Sequence, residues 1–278
     1  MHAPFVLLDG KTQIAGNPLL HPSNRSFRYG EGLFETMRLY GGTIPLWPWH
    51  RQRLQQGLAC LELQLPAHTT CDHLMEQAIQ LARKNKIDAN ARLRITLWRG
   101  DGGLWDEVAG PAHYCIEAWP APLPPRLNTN GLVLGIYTQG WKSCDAFSNL
   151  KSNNYLLYAM AARHGKQQRW NDAVILNQHR RVCDTTIANL FIRVGETWIT
   201  PALTEGCVAG VMRSYLLQQP HWQVEEGTIT TEALLAADEV VLTNAFYGMR
   251  WVQQIGTQTY AATGAAALFR HMIQPLFS

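Results

Sequence analysis

Lys151 stands in Ser148-Asn149-Leu150-Lys151-Ser152-Asn153-Asn154-Tyr155, where a polar loop runs into the amphipathic stretch from Tyr155 to His164. A lysine amine at such a junction can lose its proton and attack a carbonyl. The chain has six lysines, at 11, 84, 86, 142, 151 and 166, and arginine supplies the rest of its positive charge. Alone, a lysine at a helix start reads as a solvated surface residue, so its neighbours in the sequence decide. Asp184 lies in Arg181-Val182-Cys183-Asp184-Thr185-Thr186-Ile187-Ala188-Asn189-Leu190-Phe191 and offers a carboxylate. Gly206-Cys207-Val208-Ala209-Gly210-Val211-Met212-Arg213 leads into an expected helix and by itself reads as a plain turn. Arg53, in His50-Arg51-Gln52-Arg53-Leu54, has a bidentate fork, but by itself it reads more readily as a solvated helix arginine like Arg51.

Alternating strand and helix signals must position these groups. Phe5 to Leu8 reads as a short apolar strand. Phe34 to Tyr40 and Thr43 to Leu46 flank Gly41-Gly42, a two-residue hairpin signal. Pro48 opens a helix through Cys60, with Leu54, Leu58 and Leu61 on one face. Cys71 to Lys84 is a second helix, and Leu93 to Trp98 and His113 to Ala118 are strands. Between those strands, Arg99-Gly100-Asp101-Gly102-Gly103-Leu104-Trp105-Asp106 is too glycine-rich for an element interior and reads as a ligand-facing loop. Four prolines within Trp119-Pro120-Ala121-Pro122-Leu123-Pro124-Pro125 can join neither a ladder nor a helix, so they mark a stiff linker. The expected division is a smaller domain over 1–120, a linker over 121–126 and a larger domain over 127–278. Past the linker, strands are expected at 132–137, 173–176, 190–194 and 239–242, and helices near 154–164, 208–218, 231–236 and 262–273.

An apolar fraction of 46% in 278 residues is ample for a core, and 16% charged residues argues against disorder. A net charge of +3 with no basic run argues against nucleic-acid binding. The segment Met1 to Gly10 lacks the basic start and apolar stretch of a signal peptide, and no run reaches membrane-span length. Six dispersed cysteines without a Cys-x-x-Cys pair read as reduced thiols, and ten histidines without paired spacing give no metal site. A cytoplasmic enzyme with a small-molecule substrate is expected.

The order of these motifs resembles the fold type IV pyridoxal-phosphate enzymes, which include branched-chain and D-amino-acid transaminases and aminodeoxychorismate lyase. The resemblance also draws on Tyr29-Gly30-Glu31-Gly32-Leu33-Phe34-Glu35-Thr36, Asn171 to Asn177 and Thr200-Pro201-Ala202-Leu203, and covers nearly the whole chain. It implies a two-domain α/β (α+β) fold with pyridoxal phosphate between the domains, in a homodimer. Lys151 matches the lysine that condenses with the cofactor aldehyde, Arg53 the phosphate-binding arginine, and Val211 and Met212 the turn whose backbone N–H groups face the phosphate. Asp184 falls where the family usually has glutamate facing the pyridine nitrogen. It is one methylene shorter, about 1.5 Å of reach, and keeps the charge, so the role is expected to persist. Asn244-Ala245, at the end of the strand beginning near Glu239, resembles the lyases, where transaminases have a Thr/Ser-rich turn. The 99–106 stretch lacks the arginine and histidine with which D-amino-acid transaminases clamp a carboxylate. Tyr29, Arg38 and Trp105 are candidates for the substrate side, although an arginine in a hairpin strand also reads as surface. The activity implied is aminodeoxychorismate lyase. The alternatives are a branched-chain-type aminotransferase using 2-oxoglutarate, and a cofactor-binding protein whose turnover is impaired by Asp184.

Overall fold

Apolar side chains at every second position form one of the strands at the heart of the first unit. In Asn90–Trp98, Leu93, Ile95 and Leu97 are fully buried, as alternation in a pleated strand requires. The protein is described from a computed structural model covering residues 3–108, 110–121, 125–220 and 222–277. It divides into two compact units, Met1–Pro124 with Lys151–Asn154, and Pro125–Leu150 with Tyr155–Ser278. Of the linker expected at 121–126, Pro122, Leu123 and Pro124 lie outside the described residues.

The first unit contains β1 (Phe5–Leu8), β2 (Lys11–Ile14), α1 (Arg25–Tyr29), β3 (Gly32–Tyr40), α2 (Trp47–Cys60), α3 (Cys71–Lys84), β4 (Asn90–Trp98) and β5 (His113–Pro120). Its antiparallel sheet has the order β2-β1-β5-β4-β3. Thr70 caps α3 by accepting from His73 N at 3.1 Å, and Leu74, Ala78, Leu81 and Ala82 form its buried face. The hairpin expected at Gly41-Gly42 is only a tight turn. Tyr40 and Thr43 form an isolated bridge, and the chain enters α2 instead of a strand at 43–46. The reason is Pro45 and Pro48: neither can donate to a ladder, and Pro48 fits the first turn of a helix. β3 therefore pairs along its length with β4 and has a free edge, which the segment around Lys151 covers. Phe34 N donates to Lys151 O at 2.9 Å, Asn153 N donates to Gly32 O at 2.9 Å, and Leu33 bridges Ser152. Gly32 permits this approach, since a Cβ there would lie 2.4 Å from Leu97 O and 2.5 Å from Asn153 Nδ2.

The second unit contains β6 (Leu132–Lys142), α4 (Leu156–Gln167), β7 (Asp172–Asn177), β8 (Val182–Thr185), β9 (Asn189–Val194), β10 (Thr197–Pro201), α5 (Val211–Leu217), β11 (Val224–Gly227), α6 (Thr231–Leu235), β12 (Glu239–Asn244), β13 (Gly248–Ile255), β14 (Gln258–Thr259) and α7 (Thr263–Leu268). Its nine-stranded mixed sheet runs β11-β10-β9-β12-β13-β6-β7-β8, with β14 on β13. β7 is buried at every position, and Val174 joins a core with Val182, Leu190, Ile192, Val240 and Leu242. A short 4–6-residue run of branched residues buried on both faces is what such a strand requires. Among the described residues, no helix is long and apolar enough to cross a membrane.

Candidate active site

Lys151 is half-buried in the first unit, with its ammonium 4.5 Å from the centroid of the Phe34 ring. Its main chain completes the β3 edge, so the strand pairing fixes where the amine starts from. The next residue in β3, Glu35, is buried and holds two basic side chains of α2. Arg53 donates from Nε to Oε1 at 2.8 Å and from NH2 to Oε2 at 2.6 Å, and His50 Nδ1 lies 2.6 Å from Oε2. The His-x-x-Arg spacing puts both side chains on one face of the helix, toward β3. Burial raises the Glu35 carboxyl, but the Arg53 charge and His50 outweigh it and hold the group at about 2. Burial also lowers His50; Glu35 pulls it up, but the Arg53 and Lys151 charges add to the lowering, so the ring stays neutral and gives its Nδ1 proton to Glu35.

Both shifts have the same sign for stability. Glu35 is depressed below its usual 4.5, so its contribution is complete above that value and is lost as the pH falls toward about 2. His50 is depressed below 6.5, so the unfolded chain takes up its proton first, and this contribution starts to fade below 6.5. Calorimetry between about pH 7 and about pH 3 should show a falling Tm that steepens below about 4.5, and Glu35→Gln should flatten the lower part of that curve.

Arg51, two residues away, faces solvent and makes a surface pair with Asp72 at 3.3 Å. The two arginines therefore separate cleanly. Arg53→Ala should weaken retention of a phosphate ligand by about 2–3 kcal/mol, roughly 30- to 150-fold, while Arg51→Ala leaves it within about two-fold. Equal cofactor affinities in titrations of the two folded variants would overturn the assignment of Arg53.

The remaining candidates lie in the second unit. Asp184, on β8, is 2% exposed and accepts from Asn189 Nδ2 at 2.9 Å on one oxygen. Its other oxygen accepts from Tyr158 OH at 3.1 Å and Val208 N at 2.8 Å. Three donors favour the charged form of a buried carboxylate. Asn189 also donates to Val208 O at 2.8 Å, which ties β9 to the approach to α5. Gly210, the N-cap of α5, must be glycine: a Cβ there would lie 1.7 Å from Asn189 Oδ1. Val211 and Met212 bury their side chains, so their peptide N–H groups are what they can offer a ligand. Arg213 is turned inward to Pro201 O and Glu226. Asn244 ends β12; its Oδ1 accepts from Phe246 N at 3.0 Å and Tyr247 N at 2.7 Å, and its Nδ2 donates to Ile187 O at 3.2 Å. That bond joins Asn244 and the following Ala245 to the turn after Asp184. Asp184, the start of α5 and the end of β12 thus form one connected group.

Glu35, Tyr158 and Asn189 are the partners that sequence reasoning did not assign. An acid directly after the apolar run Leu33-Phe34 was a signal for Glu35. Two tyrosines three apart at a helix start, 155 and 158, were a weaker signal for the second. Of the substrate candidates, Tyr29 is 42% exposed, with the Arg25 guanidinium 5.4 Å from its ring, and Trp105 is 92% exposed. Arg38 is not a surface residue: it is 2% exposed and donates to Asn90 Oδ1 at 3.0 Å, because β3 is buried on both faces.

The second unit thus offers a buried acid and a glycine-opened helix start, and the first offers a guanidinium held by a carboxylate and an amine on an ordered strand edge; each by itself is a group of the kind that pyridoxal phosphate calls for. The amino-transferase class IV family model matches residues 32–255. The chain belongs to this family. It is 30% identical to the aminodeoxychorismate lyase of Bacillus subtilis over 95% of this chain and 92% of that protein. It is also 30% identical to the aminodeoxychorismate lyase of Vibrio harveyi, over 87% and 90% of the two chains. The branched-chain amino acid aminotransferase of Escherichia coli superposes with a TM-score of 0.86, covering 99% of this chain and 95% of that one at 19% identity, which shows a common fold. As a class IV member the protein is a pyridoxal-phosphate-dependent enzyme with the mixed α/β architecture of fold type IV.

Proposed function

We propose that this class IV enzyme is an aminodeoxychorismate lyase, releasing pyruvate and forming 4-aminobenzoate. The 30% identity to two lyases over most of each chain carries the reading. The loop after β4 supports it. Arg99 and Arg25 are the arginines nearest to being a carboxylate clamp, and Glu31 takes both, at 2.6 Å and 2.5 Å. Arg99 also donates to Leu61 O, and Arg25 to Gly103 O. Burial opposes ionisation of Glu31, but the two arginines hold its carboxyl below its usual range, so it stays ionised between them and ties both guanidinium groups in place. Leu104 and Trp105 are exposed on this loop between the carboxylates of Asp101 and Asp106, a surface for a ring rather than for a second carboxylate.

The bound cofactor supplies an electron-accepting ring that stabilises negative charge at the substrate carbon. Lys151 would hold the cofactor through its amine, and the same amine would serve as the base for the proton on the carbon bearing the substrate amine. It would return that proton where pyruvate departs. Arg53, fixed by Glu35 within the first unit, would bind the phosphate by its charge, and within the second unit the peptide N–H groups of Val211 and Met212 are the donors proposed for it. Asp184 keeps the ring nitrogen protonated, and Asn244 and Ala245 shape the turn beside it. The enzyme is proposed to work in the cytoplasm as a homodimer, which analytical ultracentrifugation of the loaded protein tests.

Purified enzyme should release pyruvate and 4-aminobenzoate in equal amounts from aminodeoxychorismate with no 2-oxo acid added. Leucine, isoleucine, valine or D-alanine alone should not bleach the visible cofactor band. Bleaching once per site by a branched-chain amino acid, with no pyruvate from aminodeoxychorismate, would establish the aminotransferase instead.

A further inference from the structure

We infer that Tyr158 is a positioning residue of the cofactor site, whose hydroxyl holds the Asp184 carboxylate ionised and fixed in direction, and thereby keeps the proton on the cofactor's ring nitrogen. The inference rests on the reading of Asp184 as the partner of that nitrogen.

Tyr158 lies in the first turn of α4 and is 4% exposed. Its ring is held on several sides. Tyr155 stacks on it at 4.6 Å between centroids, the Lys142 ammonium lies 5.4 Å from its centroid, and Tyr137, Ala161 and Val208 pack around it. Lys142 is in turn held by Ser148 O at 2.6 Å, and the Tyr155 hydroxyl donates to Thr186 O at 3.2 Å. A ring fixed in this way leaves the phenol oxygen little freedom, and it lies 3.1 Å from Asp184 Oδ2. Burial, and after it the Asp184 charge, pushes the phenol well above its ordinary range, so it donates at any working pH. The thiols of Cys183 and Cys207, which also feel Asp184, are pushed up chiefly by burial and stay neutral.

A carboxylate and a pyridine that share one proton can exist as an ion pair or as a neutral acid with a neutral base. Burial favours the neutral pair, because both charges are taken out of water. Donors to the carboxylate tip the balance back toward the ion pair. Tyr158 and Val208 N both bind Oδ2, so the carboxylate cannot rotate without breaking two hydrogen bonds. This compensates for aspartate in a place where a longer acid is usual: the shorter side chain is held where it stops, and its charge is retained.

The experiment is nitrogen-15 NMR of the intact protein loaded with pyridoxal phosphate labelled at the ring nitrogen. The wild type is compared with Tyr158→Phe, with 3-fluorotyrosine placed at position 158, and with Asp184→Asn. Losing one charge-assisted donor is worth about a ten-fold change in the protonation ratio. Tyr158→Phe should move the signal toward neutral pyridine by that amount, and lower kcat about ten-fold with KM unchanged. Fluorotyrosine, a stronger donor of nearly the same shape, should move the signal the other way or leave it fully protonated. If Asp184→Asn moves the signal and Tyr158→Phe does not, Tyr158 has no such role, although Asp184 keeps its own. A fluorotyrosine signal displaced toward neutral pyridine also overturns the inference. If neither Asp184→Asn nor Tyr158→Phe moves the signal, Asp184 is not the nitrogen's partner and the inference fails with that reading.

Discussion

Lys151→Ala should give a folded protein that binds pyridoxal phosphate without a covalent link and turns over at least about a thousand-fold more slowly. The variant loses both the attachment point and the general base, and a positioned base alone is worth about 100- to 10,000-fold. Folding should survive because the segment is held by its main chain. Lys151 O accepts from Phe34 N, and Asn153 N donates to Gly32 O; neither bond involves the lysine side chain. What the truncation does remove is an ammonium 4.5 Å from the Phe34 ring. Borohydride reduction followed by mass spectrometry is the direct check. Wild type should gain one reduced cofactor, mapped to the peptide containing Lys151, and the variant should gain none. An adduct that persists in Lys151→Ala would move the attachment elsewhere. Lys142 would be the first lysine to map, although its ammonium is held by Ser148 O at 2.6 Å and lies against Tyr158.

Local signals in the sequence located the elements well where the pattern was local. α3 forms at Cys71–Lys84 as expected, because a Thr N-cap, an acidic first turn and a basic last turn all lie within one window. β1 forms at Phe5–Leu8 for the equally local reason of a bounded apolar run. β2, β8, β10, β11, β13 and β14 were not foreseen. β11 pairs parallel with β10 across α5, and β13 pairs parallel with β6, whose residues precede it by over a hundred positions. Such pairings depend on partners that no short window contains. The candidate site divides in the same way. Lys151, Arg53, Asp184 and the glycine before Val211 were named from motif order. Their partners were not, because each partner comes from another element. Glu35 on β3 reaches Arg53 on α2, Tyr158 on α4 reaches Asp184 on β8, and Asn189 on β9 fills the space that Gly210 leaves open. The grouping of Lys151–Asn154 with the first unit also follows from edge pairing to β3, which sequence spacing does not encode.

Asp184→Asn should lower turnover on the order of 100-fold while leaving the covalent attachment to Lys151 intact. The magnitude is that of removing one fixed electrostatic partner from a buried reaction centre. The structure adds a second effect. Both carboxylate oxygens accept hydrogen bonds, from Asn189 Nδ2 on one side and from Tyr158 OH and Val208 N on the other. An amide has one oxygen and one NH2, so either orientation sets a donor against a donor in a residue that is 2% exposed. Apo-protein stability should therefore fall by about 1–3 kcal/mol. Asp184→Glu separates the two effects. It keeps the charge and the acceptors but adds a methylene to a side chain that is 2% exposed, an overpacking cost of about 1–3 kcal/mol. Its turnover should lie closer to wild type than that of the amide, while its stability falls to a similar degree. If the glutamate variant were as slow as the amide, position rather than charge would be the limiting property of Asp184. A wild-type rate in Asp184→Asn would remove it from the chemistry altogether, and its three donors would then serve only to satisfy a buried acid.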